Sequence, residues 1–216
     1  MKNKIPYNYI CLEGNIGAGK TTLAEKLAKD LPCKLVLEGF ADNPFLEYFY
    51  KDPVRFSFTV ELFFLTERHK QLQQALANKE LFSEFTLADY SLIKSMLFAR
   101  NNLIPEEYKL FQKIFQTLSA NIPKPDLIVY LHRSVEKIQE HIIARDRPFE
   151  SQIHNTYLEQ IQNVYFDFFK NQTQIPVLIL DAENLDFINN ENHYREVIHI
   201  LGNQYQPGLH HIRVLY

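Results

Sequence analysis

Five short runs of the chain are apolar almost without interruption: residues 9–12 (YICL), 34–37 (KLVL), 85–88 (FTLA), 126–131 (DLIVYL) and 177–180 (VLIL). A strand with one wet face alternates apolar and polar residues, so runs without alternation predict strands covered on both faces. Between them apolar residues recur at helical spacing, over roughly 19–30, 43–50, 54–77, 91–99, 106–121, 134–145 and 152–170, with 193–202 as a further helix. Pro44 and Pro53 stand at two of these helix starts, where a missing N–H costs nothing. Strand alternating with helix predicts an α/β fold, a doubly wound, five-stranded parallel sheet with helices on both faces. The tail 203–216, polar and then apolar, fits none of these elements.

Composition narrows the classes. The 216 residues are 46% hydrophobic and 23% charged, enough for one domain with a real core, expected to span 1–216. Net charge is −3 and no basic block appears, so no nucleic-acid polymer is expected as partner. No run nears a membrane span, and the first residues carry no apolar signal segment. Two cysteines, Cys11 and Cys33, make no disulfide framework and read as reduced residues of a cytoplasmic protein.

The first predicted strand runs into 14-GNIGAGKTT-22, which fits G-x-x-x-x-G-K-[ST] through Gly14, Gly19, Lys20 and Thr21. Residues Gly14, Asn15, Gly17, Ala18, Gly19, Lys20, Thr21 and Thr22 then form a loop whose amides and ammonium cradle phosphates. Thr21 can offer its hydroxyl to Mg²⁺, and the expected donor is a nucleoside triphosphate, ATP. The bland alternative is a glycine-rich turn that caps a helix. In an open parallel sheet, ligands gather at the carboxyl ends of strands. Glu38 follows the second strand and Asp89 the third, so both are expected beside the phosphates. There a carboxylate can take a hydroxyl proton or hold Mg²⁺. Otherwise Glu38 is a solvated loop residue and Asp89 an N-cap.

GNIGAGKTT, the Glu after the second strand, 50-YKDPVRFSFTVE-61 and 145-RDRPFE-150 together resemble the deoxynucleoside kinases, over about residues 7–181. That family moves the ATP γ-phosphate to the 5′-hydroxyl of a deoxyribonucleoside and forms dimers. The resemblance implies Glu38 as general base, Asp89 as metal support, and Arg145 and Arg147 as lid arginines closing on the phosphates from a loop at about 145–151. It implies that Tyr50 and Glu150 share the sugar 3′-hydroxyl, and that the enzyme is a homodimer.

Three departures from the family pattern are informative. Asp146 stands where the family often has Gly. The family writes Asp/Glu-Arg-Ser/Thr after the third strand, whereas this chain has 89-DYS-91, with Tyr90 for the Arg. Either another cation substitutes, Arg55, Arg68, His132 or Arg133 being candidates, or the chain is a nucleotide-binding protein with weak or no turnover. Glu61 replaces a common Gln, with Arg68 two helical turns on and on the same face. An ionised Glu presents only acceptors, so its best partner is an edge with two adjacent donors. Guanine has such an edge, and so does a pterin. A further acidic base contact of the family corresponds to Ser95 and is lost. A nucleoside monophosphate kinase would need cations for the acceptor's phosphate, and the loop EGFADNP supplies none.

Overall fold

The computed structural model describes residues 4–39, 43–78, 80–147 and 150–214. Parts of two predicted loops, residues 40–42 and 148–149, lie outside the described residues, as do the last two residues of the tail. The elements in chain order are β1 (Tyr9–Gly14), α1 (Lys20–Asp30), β2 (Cys33–Val36), α2 (Leu46–Lys51), α3 (Pro53–Ala77), β3 (Phe85–Ala88), α4 (Ile93–Asn102), α5 (Pro105–Ser119), β4 (Leu127–His132), α6 (Val135–Arg145), a 3-10 turn (Glu150–Gln152), α7 (Asn155–Lys170), β5 (Pro176–Asp181), α8 (Glu191–Leu201) and β6 (Gly208–Arg213).

All strands are parallel, in the order β2-β3-β1-β4-β5-β6. Both faces are covered, as the unbroken apolar runs require. In β1, Ile10 and Leu12 face Leu23 and Leu27 of α1 and Val197 of α8, while Tyr9 and Cys11 face Leu65 of α3 and Phe111 of α5. Toward the other edge, Tyr130 and Ile179 pack on Tyr165 and Phe169 of α7.

The sheet has six strands where five were expected. The sixth comes from the tail, where Leu209 pairs in register with Val177 and Ile212 with Leu180. As an edge strand it is only half covered, so GLHHIR lacks the continuous apolar signature of its neighbours. The helix expected from 43 begins only at Leu46, past Pro44, whereas Pro53 does open α3, with the Asp52 carboxylate accepting from the Arg55 N–H at 3.3 Å.

Because β1 lies between β3 and β4, the chain turns in opposite directions on its two sides. The crevice outside the carboxyl ends of β1 and β3 is therefore the topological switch point where ligands collect.

Candidate active site

The loop from β1 to α1 lies in that crevice. A Cβ on Gly14 would stand 2.9 Å from the Leu131 carbonyl oxygen, a backbone atom that cannot move aside. Gly17 has φ 82°, in the left-handed region that side chains disfavour. Asn15 is fully buried, its Nδ2 donating to the Leu158 carbonyl at 2.8 Å and its Oδ1 accepting from the Ile16 N–H at 2.9 Å. His141 Nδ1 lies 2.9 Å from the Gly17 carbonyl, which can only accept. Ala18 is buried, and Gly19 caps α1. The Lys20 ammonium folds onto the carbonyls of Gly14 (3.0 Å) and Asn15 (2.8 Å). Burial, and then the nearby Lys94 ammonium, lower the Lys20 pKa to about 8.

The two strand-tip acids meet this loop. Asp89 Oδ2 accepts from Thr21 Oγ1 at 2.5 Å, and Asp89 Oδ1 from the Glu38 N–H at 2.8 Å. Asp89 does not cap α4, which follows Leu92 without a side-chain cap. A hydroxyl and a carboxylate are hard oxygen donors that suit Mg²⁺. The described residues hold no cluster of three or more His, Cys, Asp or Glu that could hold a metal ion.

Glu38 is not a solvated loop residue. Its Oε1 accepts from Arg68 Nε at 2.7 Å and pairs with Arg68 Nη2 at 2.6 Å, and its Oε2 is 2.5 Å from Lys94 Nζ. Burial alone would raise its pKa, but Lys94 and Arg68 override it and hold the carboxyl far below its usual range.

Tyr90 has no exposed surface and packs with Tyr9, Cys11 and Leu65, its hydroxyl donating to Gln71 Oε1 at 2.8 Å. Of the four expected substitute cations, Arg55 is exposed at the start of α3, and His132 stands against Gln162 and Phe166. Arg133 donates to the carbonyls of Ala18 (3.3 Å) and Leu185 (3.1 Å), bracing the phosphate loop from behind. Arg68 does reach Glu38. So does Lys94, which sequence reasoning missed. Another missed residue, Glu13, holds the strand-to-helix turn that carries Asp89. Its Oε1 accepts from the Ser91 N–H (2.7 Å) and Oγ (2.6 Å), and its Oε2 from the Tyr165 hydroxyl (2.8 Å).

Behind Glu38 opens a narrow pocket with a cavity volume of about 100 Å³. Lys20, Thr21, Asp89, Tyr50, Glu61 and Arg68 all line it, together with both lid arginines and Glu150. Glu61 and Arg68 share a face of α3, yet they are not bonded to one another. Arg68 lies 4.8 Å over the Phe64 ring, and its Nη1 donates to Ser95 Oγ at 2.8 Å, so the lost acid of the family is replaced by a hydroxyl acceptor. Glu61 Oε1 accepts from Asn102 Nδ2 at 2.7 Å, while its buried Oε2 has no hydrogen-bond partner among the described residues. Burial pushes the Glu61 pKa up to about 7, against the pull of Arg68 and Asn102.

At the lid, Arg145 ends α6, and Asp146 takes a left-handed conformation (φ 50°, ψ 47°), a geometry that costs a non-glycine residue about 1 kcal/mol. Arg145 Nη2 donates to Glu150 Oε2, and Arg147 Nη1 to Glu150 Oε1 at 3.3 Å. Tyr50 faces the same acid: burial, then the Glu150 charge, raise its phenol pKa. A second cavity of about 680 Å³ lies across the phosphate loop, lined by Gly17, Thr22, Arg133, Lys137 and the 183–189 loop after β5. No motif marks that loop. Its position past a strand end is the only sequence signal it gave.

The sequence profile of the deoxynucleoside kinases matches residues 10–204. The chain belongs to the deoxynucleoside kinase family. It is accordingly an enzyme, a phosphotransferase with an alcohol acceptor. Deoxyguanosine kinase from Bacillus subtilis is 34% identical over 193 residues, covering 88% of this chain and 93% of its own length. Deoxyadenosine/deoxycytidine kinase from the same organism is 31% identical over 202 residues, covering 91% and 93%. Deoxyadenosine kinase from Dictyostelium discoideum is 35% identical over 179 residues, covering 82% and 73%. The structure of deoxyadenosine kinase from M. mycoides with bound dATP matches with a TM-score of 0.76 at 26% identity, over 90% of this chain and 98% of that one.

Proposed function

We propose that this deoxynucleoside kinase transfers the γ-phosphoryl group of ATP to the 5′-hydroxyl of a purine deoxyribonucleoside, with deoxyguanosine preferred. The observation that carries the reading is convergence: the tips of β1, β2 and β3 bring Lys20, Glu38 and Asp89 to one pocket that also holds Tyr50, Glu61 and Glu150. Lys20 and the loop amides hold the β and γ phosphates. Thr21 and Asp89 hold Mg²⁺, which when bound neutralises phosphate oxygens. Glu38 orients the 5′-hydroxyl and receives its proton. Tyr50 and Glu150 seat the sugar, a phenol and a carboxylate sharing one alcohol. Arg145 and Arg147 swing from Glu150 to the phosphates. Free cysteines at Cys11 and Cys33 support a cytoplasmic setting. An apolar groove lined by Leu92, Phe115, Ile122 and Phe168 supports a homodimer. Sedimentation at micromolar concentration is expected to give twice the chain mass, and a monomer there would remove this part of the reading.

The base preference rests on Glu61. Ionised, it accepts from guanine N1–H and N2–H₂, while the unused N–H groups of Arg68 face O6. Adenine offers a donor beside an acceptor, which suits a protonated Glu61 or a Gln. The Glu61 pKa, about 7 in the free enzyme, sets the sign. KM for deoxyguanosine rises as pH falls through 7, while KM for deoxyadenosine does not. Glu61→Gln is expected to shift the kcat/KM ratio from deoxyguanosine toward deoxyadenosine by about 10²-fold, the worth of one or two misplaced hydrogen bonds. The decisive measurement is a coupled ADP-release assay. Turnover is expected with deoxyguanosine, not with dGMP, and is arrested by EDTA. ATP binding without turnover on any deoxynucleoside would leave only a nucleotide-binding protein. Tighter binding of deoxyadenosine or a pyrimidine nucleoside, in an order that Glu61→Gln does not change, would remove the guanine assignment.

A further inference from the structure

Lys94 stands in the acceptor pocket with no role given to it by motif or resemblance. It is buried, 6% exposed, with its ammonium 2.5 Å from Glu38 Oε2. The Glu38 charge is already met on its other oxygen by Arg68. Two buried cations share this carboxylate, with Glu61 as a further counter-charge acting on both, and buried cations are costly unless fully paired. The Lys94 ammonium also acts on that of Lys20, which hydrogen-bonds the carbonyls of Gly14 and Asn15. Among the described residues five cationic side chains line this pocket against four carboxylates, an excess that an anion at the phosphate end would offset.

We propose that Lys94 is a catalytic residue, the cation that contacts both Glu38 and the phosphoryl group in transit, four residues beyond the position where the family carries its Arg. This rests on the kinase reading above. The 5′-oxygen forms a bond to the γ-phosphorus as the bond from that phosphorus to the β–γ bridging oxygen breaks, and ADP leaves. The hydroxyl proton passes to the Glu38 carboxylate and on to water. Lys94 stays protonated throughout, donating one N–H to Glu38 and another to a non-bridging phosphoryl oxygen. The competing cations are held elsewhere: Arg133 by the carbonyls of Ala18 and Leu185, and Arg68 by Glu38 and Ser95. Tyr90 is buried against Tyr9, Cys11 and Leu65, gives its hydroxyl to Gln71 and carries no charge.

The test compares wild type, Lys94→Met and Lys94→Arg, with ATP and saturating deoxyguanosine. Lys94→Met is expected to lower kcat by about 10²- to 10³-fold with little change in the nucleoside KM. Lys94→Arg is expected to recover to within about tenfold of wild type. A loss confined to kcat, together with the recovery in Lys94→Arg, separates catalysis from mere packing. Should Lys94→Met not fold, Lys94→Gln carries the same expectations. Tyr90→Arg is expected to give no gain in rate, because the cation's seat is taken. Turnover by wild type with kcat of Lys94→Met within about threefold of it overturns the proposal, as does a large gain in Tyr90→Arg. Absence of turnover in wild type overturns instead the kinase reading beneath it.

Discussion

Glu38→Gln is expected to lower kcat for deoxyguanosine by about 10³-fold while leaving the nucleoside KM near its wild-type value. The amide keeps the shape of the side chain and can still accept from one cation, so the pocket is not emptied. It loses the ability to receive the 5′-hydroxyl proton. It also offers its NH₂ to either Arg68 or Lys94, neither of which can accept. The pair of cations holds the native carboxyl far below its usual range, so Glu38 is a weak base and strips no proton in advance. That suits phosphoryl transfer, whose loose transition state leaves the nucleophile largely protonated until late and asks chiefly for alignment. The variant should be less stable as well, by about 3 kcal/mol, because two buried cations lose their counter-charge. Calorimetry on the variant keeps the effects apart: deoxyguanosine still binds, and turnover is what disappears. A kcat within tenfold of wild type would show that another group receives the proton and that Glu38 is structural.

The sequence exposes some parts of this site and hides others, for physical reasons. The four central strands are legible because burial on both faces forces unbroken apolar runs, and the edge strand β2 still reads through its apolar LVL, whereas β6, the other edge, is only partly covered and carries Gly, two His and Arg among its six residues. Gly14, Lys20 and Thr21 are legible because phosphate binding demands fixed spacing. Glu38 and Asp89 follow from the strand-end rule. Lys94 is hidden in 91-SLIKSMLF-98, where a Lys in an apolar stripe reads as an exposed helix position. Only the late start of α4 at Ile93, with Ser91 tied to Glu13, turns it inward. Glu13 itself sits at the end of an apolar run, and nothing in its neighbours announces three hydrogen bonds. The spacing of Glu61 and Arg68 correctly gives a shared face, but cannot say that Arg68 turns to Glu38 and Ser95. Such partners come from β2 and α4, distant in sequence.

Lys20→Met is the second large effect, and it separates function from folding. In the free protein the Lys20 ammonium donates to the Gly14 and Asn15 carbonyls, and no ion pair to it exists among the described residues. Burial and Lys94 both disfavour its charge, which is why its pKa falls to about 8. Methionine fills a similar volume with no charge to desolvate, and leaves two carbonyls that water at the pocket mouth can satisfy. The thermal midpoint of the variant should therefore equal or exceed that of wild type. Catalysis moves the other way. The β and γ phosphates lose a cation that the low-dielectric pocket makes strong, and turnover with ATP falls by about 10³-fold. A residue kept at a cost to the free protein and repaid only when the triphosphate arrives is the signature of a binding site held ready. The two readouts must diverge. If Lys20→Met melted well below wild type, the ammonium would be holding the loop together. If it still turned over ATP at a comparable rate, the phosphates would lie somewhere other than this loop.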